Sequence, residues 1–120
     1  MAEIQQDAFL AWFLFKYDGE MTTENQVGFT LDVEGEKVVM FVTVWETMWS
    51  LACPIMRLDK SSKKSLFEIM THHTDNSAMG LTLFDEMLCI VNCSTDPNPA
   101  ETEDWITSFA EHAADLMKMA

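Results

Sequence analysis

Three cysteines, Cys53, Cys89 and Cys93, and the histidine pair His72 and His73 are the side chains here best suited to nucleophilic or metal chemistry. Their spacing argues against both. Adjacent histidines on a helix point about 100° apart, whereas i and i+4 spacing brings two imidazoles to one ion. Cys89 and Cys93 fall in what reads as one strand, where their separation is roughly 13 Å, and the closely spaced cysteine pairs of structural zinc sites are absent. A disulfide needs Cα atoms within about 7 Å, so these two cannot pair while the strand stays extended, and an odd cysteine count leaves a free thiol in any pairing. A cysteine nucleophile needs a base held by a third group. Cys53 instead sits among Leu51 and Ile55, where an apolar setting raises a thiol pKa and keeps it inert. Asp85 and Glu86 read as a solvated turn tip. The expectation is no catalytic residue, no metal and no cofactor, and a chain that is not an enzyme.

The elements that would position a binding surface follow from hydrophobic period. Residues 3 to 16 read as a helix with Ile4, Ala8, Ala11, Trp12 and Phe15 at helical spacing, yet Phe9, Leu10, Phe13 and Leu14 make the other face apolar as well. A helix apolar all round is buried on both sides or covered by a partner. Tyr17 to Gln26 is a polar connector. Val27, Phe29, Leu31 and Val33 alternate as in a half-buried strand, and Glu34 and Gly35 turn the chain into Lys37 to Trp45, apolar on both alternating sets and so expected to be covered on both faces. Met48 to Met56 forms a third strand, which should end at Pro54 or lie at an edge, because proline cannot donate to the ladder. Asp59 to Ser62 offers caps for a helix over 61 to 73. Leu81 to Val91 then forms a hairpin turning at Asp85 and Glu86, and Asn98, Pro99 and Glu101 give the cap, first position and capping box of a closing helix. Its inward stripe is Trp105, Ile106, Phe109, Ala110, Ala113, Leu116 and Met117.

This order, α-β-β-β-α-β-β-α, defines an α+β fold: one antiparallel five-stranded sheet with helices packed on it, in a single domain of 120 residues. Twenty acidic against seven basic side chains leave a net charge of −13, which repels phosphate backbones and excludes nucleic acid as a partner. Arg57, Lys60, Lys63 and Lys64 gather most of the positive charge in one stretch. The longest wholly apolar run, Ala8 to Phe15, is far short of the roughly 20 residues of a membrane span. No basic segment or cleavage pattern precedes it, so a cytoplasmic location without membrane association is expected. Ten methionines and four tryptophans suit irregular cores and adaptable contact surfaces alike.

The helix, the Gly-Asp connector around Asp18 and Gly19, the meander from Val27 to Ile55, Asn76, the Leu81 to Val91 hairpin and the Ala-, Leu- and Met-rich closing helix together resemble the YbjN family and the type III secretion chaperone-like superfamily. The resemblance spans nearly the whole chain and is one of pattern. It implies a cytoplasmic, homodimeric protein-binding module, chaperone-like or regulatory. The contact surfaces expected for a polypeptide partner are the sheet edge, the helix over 61 to 73 and the aromatic hairpin end, through Trp45, Trp49, Leu66, Phe67, Ile69 and Met70. The alternative is a small-molecule sensor with a pocket against the sheet, lined by Trp45, His72 and Cys53.

Overall fold

The computed structural model describes residues 3–59, 63–76 and 80–119, with residues 63 and 72–76 described by backbone alone. The cap expected at Asp59 to Ser62 lies largely outside the described residues, as do Lys60 and the side chains of Lys63, His72 and His73. The elements are α1 (Gln6–Lys16), β1 (Glu20–Thr23), β2 (Gln26–Val33), β3 (Glu36–Val44), β4 (Trp49–Arg57), α2 (Lys63–Asn76), β5 (Gly80–Phe84), β6 (Met87–Ser94) and α3 (Glu103–Met117). The fold is α+β, with an open antiparallel six-stranded sheet in the order β1-β2-β3-β4-β6-β5 and three helices.

The sixth strand is β1, which falls in the stretch expected to be a polar connector. Its sequence, EMTT, is exposed throughout. Pairing of Glu20 with Gly28 and Met21 with Val27 holds it to β2, and that edge position needs no apolar face. The chain reaches β1 through Gly19, where a Cβ atom would stand 2.8 Å from Val27 Cγ1 and 3.0 Å from Gly28 O.

The two tight hairpins use the left-handed conformations that two-residue turns require. Glu34 and Gly35 have φ of 51° and 86°, and Asp85 and Glu86 have φ of 50° and 66°. Pro54 does not end its strand, which runs on to Arg57. Instead the ladder to β3 stops at Ala52, and the ladder to β6 shifts register between Pro54 and Met56. The missing donor is thus accommodated where β4 is paired on one side only and bulged. The closing helix also starts later than the capping pattern predicts. Asn98 accepts from the Ala100 amide at 3.1 Å, but the turn it caps is 3₁₀, Pro99–Thr102, and α3 begins at Glu103.

The core lies on one face of the sheet, while Cys89 is buried on the other. Val27 and Phe29, then Val38, Met40, Val42 and Val44, then Trp49, Leu51, Cys53 and Ile55, then Leu88 and Ile90 meet Ile106, Phe109, Ala110, Ala113 and Leu116 of α3 and Phe9, Leu10 and Phe13 of α1. The face of α1 turned inward is therefore the Phe9–Leu10–Phe13 face, while Phe15, expected on the main stripe, is 90% exposed. The helix closes this chain's own core.

Candidate binding surface

Of the six side chains expected to meet a partner, two belong to the core. Trp49 is fully buried, with its ring centroid 5.2 Å from Phe9, 5.9 Å from Phe13 and 5.1 Å from Trp105, and its Nε1 donates to the Asp96 carbonyl at 3.0 Å. Ile69 is likewise fully buried and anchors α2. The strand phase that Trp49 shares with Leu51, Cys53 and Ile55 is the sequence signal that places it inside. Trp45, one phase off, is half exposed at the β3–β4 turn, and Leu66 is half-buried.

Phe67 and Met70 do stand on the surface, at 72% and 50% exposure, and with Leu66 and Lys64 they line an open, nearly wholly apolar depression of about 600 Å³. A second exposed apolar group, one that hydrophobic period could not single out, is Leu83 and Phe84 on β5. Strand β5 is the last of its sheet, so one side of its backbone pairs with β6 and the other faces outward. The opposite edge, β1, is four residues long, carries Glu20 and breaks register between Met21 and Thr23. Short, charged and irregular strands discourage further pairing, whereas β5, five residues long with the sequence GLTLF, carries no charge and pairs without a register shift.

The pocket expected between Trp45, His72 and Cys53 does not form around the residues that are described. Cys53 is closed in the core under the helices and Trp45 lines an outer depression with Gln6, Glu24 and Glu46. Burial, reinforced by neighbouring Cys89, pushes the Cys53 thiol up to about 12. Burial also raises Cys89, while Cys93 is exposed. Among the described residues no three His, Cys, Asp or Glu side chains gather closely enough to hold a metal ion.

The second sheet face departs most from expectation. Strand β3 was expected to be covered on both faces, yet α1 and α3 pack on one face of the sheet, and Val39 and Phe41 look out from the other. The register places Gln26, Gly28 and Thr30 of β2 with Val39, Phe41 and Thr43 of β3. Ser50, Ala52 and Pro54 of β4 continue the surface to Cys89, Val91 and Cys93 of β6 and to Gly80, Thr82 and Phe84 of β5. None of these side chains is charged, in a chain of which 22% is charged. In their midst a groove of about 320 Å³ runs over Ala52, Pro54, Cys89 and Val91 between the rings of Phe41 and Phe84. Two ion pairs stand at one end of the face, Lys37 with Asp32 at 2.7 Å and Arg57 with Glu86 at 3.7 Å.

No protein-family model matches this chain, and no curated protein matches it. No helix among the described residues is long and apolar enough to cross a membrane.

Proposed function

We propose that this chain is a protein-binding module, without catalytic activity, that takes an extended polypeptide segment along the outer edge of β5. The observation that carries the reading is the unguarded edge itself: a strand with no charged residue and no proline, with Leu83 64% exposed beside an unpaired backbone edge. Strand addition supplies affinity through main-chain hydrogen bonds and specificity through alternate side chains. The apolar depression on α2, the helix that leads into β5, offers a second contact for bulky side chains through Phe67 and Met70. The order of elements, which resembles the YbjN and type III secretion chaperone-like pattern, agrees with a chaperone-like or regulatory role in the cytoplasm.

The test is fluorescence anisotropy with labelled extended peptides of graded apolar content, against wild type, Leu83→Lys and the double variant Phe67→Glu/Met70→Glu. Apolar peptides should bind wild type, and Leu83→Lys should weaken them about tenfold or more, because a lysine on an edge is a known guard against pairing. Both variants alter exposed side chains, so unchanged far-ultraviolet circular dichroism is expected. Failure of every peptide to bind, or equal binding by Leu83→Lys, would sink the reading.

A further inference from the structure

We infer that the sheet face away from α1 and α3, uncharged except at one end, is covered by a second copy of this chain, the two sheets stacked face to face across a two-fold axis. An antiparallel sheet with one face in water alternates apolar-in and polar-out, and its wet face should carry charge at something like the surface average of about 25–35%. Here the charged residues of the face from β2 to β5, Asp32, Lys37 and Arg57, stand together at one end, and the rows from Gln26–Thr43–Ser50 to Thr30–Val39 carry none. The apolar set that made β3 read as doubly covered is real, and no element of the same chain among the described residues lies over it. The cover comes from outside.

Charge selects the occupant. Each copy carries −13, so two copies can approach closely only through surfaces that add nothing to their mutual repulsion. This face meets that condition, and the pairs Lys37–Asp32 and Arg57–Glu86 at its end cancel internally. A cationic partner would gain by sitting over carboxylates and would leave this face in water. Area agrees. The four spacings of about 4.8 Å between the five strands from β2 to β5, and the eight residues of β6 at about 3.4 Å each, span roughly 19 by 27 Å. That is about 500 Å² of plan per copy and about 1,000 Å² for two before side-chain relief is counted, the area a specific interface must bury. Isologous packing also suits the alternation of Gly28, Phe41, Ala52, Val91 and Gly80 along one cross-strand row, where large and small side chains can interlock with their copies.

This inference stands apart from the peptide edge, since the outer side of β5 is left free. Sedimentation equilibrium of wild type, Ala52→Lys, Val39→Lys and Leu83→Lys tests it, from about 0.05 to 0.5 M NaCl, a range over which screening becomes strong. Wild type should be a dimer that tightens as salt rises. Ala52→Lys should raise the dissociation constant about a hundredfold or more by trapping an unpaired charge in the interface, although it lowers the net repulsion. Val39→Lys, at a site already 39% exposed in the single chain, should weaken the dimer without unfolding the monomer. Wild type that stays monomeric at high salt would overturn the inference. So would a dimer indifferent to Ala52→Lys and Val39→Lys, or one lost in Leu83→Lys alone, which would indicate pairing of β5 edges. Peptide binding by a monomer would leave the edge reading intact while removing this one.

Discussion

Cys53 shows how far one side chain's chemistry is set by its surroundings. Its thiol lies between the helices and the sheet, and charging it there would strand an anion in apolar surroundings, so its pKa rises from 9.0 to about 12. A pKa raised on folding means that the neutral thiol is favoured in the native state. The associated stability is fully present below pH 9 and is lost as pH climbs from about 9 towards 12. The thermal midpoint should therefore fall across that window, and Cys53→Ala should flatten the fall, leaving the parts due to Cys89, which burial raises, and to Tyr17, which burial and the nearby Glu103 push up. At neutral pH and high dilution, iodoacetamide should label Cys93 readily and Cys53 only on global unfolding, as mass spectrometry of native and denatured protein would report. Trp49 offers the counterpart in packing. Trp49→Ala should cost about 3–5 kcal/mol in chemical denaturation, as large aromatic deletions do, and Trp49→Phe about 1–2 kcal/mol, for the Asp96 carbonyl left without its donor.

At the scale of elements, direction was harder to read than type. Strands β2, β3 and β4 follow their alternation to within a residue or two, and α3 buries the expected stripe because only one of its faces is apolar. Helix α1 is apolar all round, so helical period leaves open whether Phe13 or Phe15 turns inward, and only the sheet beneath decides. Phe13→Ala should thus cost about 3–5 kcal/mol, whereas Phe15→Ser should stay within about 0.5 kcal/mol, as surface changes do. Strand β1 escaped notice because an edge strand held by backbone pairing needs no hydrophobic period. The candidate surface was legible in part. Phe67 and Met70 were legible only together with Leu66 and Ile69 as contact residues of a short helix, and an exposed Leu83 and a half-buried Leu81 look the same until the sheet order makes β5 an edge. The β5–β6 turn was legible as a turn without its strain. Asp85 and Glu86 both sit at positive φ, which costs a residue with a side chain roughly 1 kcal/mol or more. Glu86→Gly should raise stability by up to about 1 kcal/mol, the lost Arg57 pair being exposed and worth little.

For the molecule as a whole the dominant long-range force is its own charge. A net −13 spread over a chain of 120 residues favours expansion, so much of the folded state's electrostatics is repulsion that packing must overcome. Two cations tie α3 to elements far from it in sequence. Lys118 at the end of α3 donates to Glu34 in the β2–β3 turn at 2.9 Å, and Lys16 of α1 lies 3.2 Å from Glu103 of α3. The hydrogen bond from Lys118 holds the Glu34 carboxyl below its usual range, and the same bond raises Lys118. Because the Glu34 pKa is lowered on folding, its contribution is present above the ordinary carboxylate range and is lost as pH falls through the folded value. Both groups are exposed, so this tie is small beside the general repulsion. The two effects separate by salt. Near neutral pH, added NaCl screens the repulsion among carboxylates and should raise the thermal midpoint, by about 4–8 °C for each kcal/mol recovered. Near the isoelectric point, pH 4.3, the net charge is close to zero, and the same salt should leave the midpoint unchanged or lower it slightly by weakening the remaining pairs. Calorimetry in the two buffers, at a dilution that keeps the chain monomeric, would show the reversal. A midpoint that rises equally with salt at both pH values would mean that salt acts through apolar burial and not through charge.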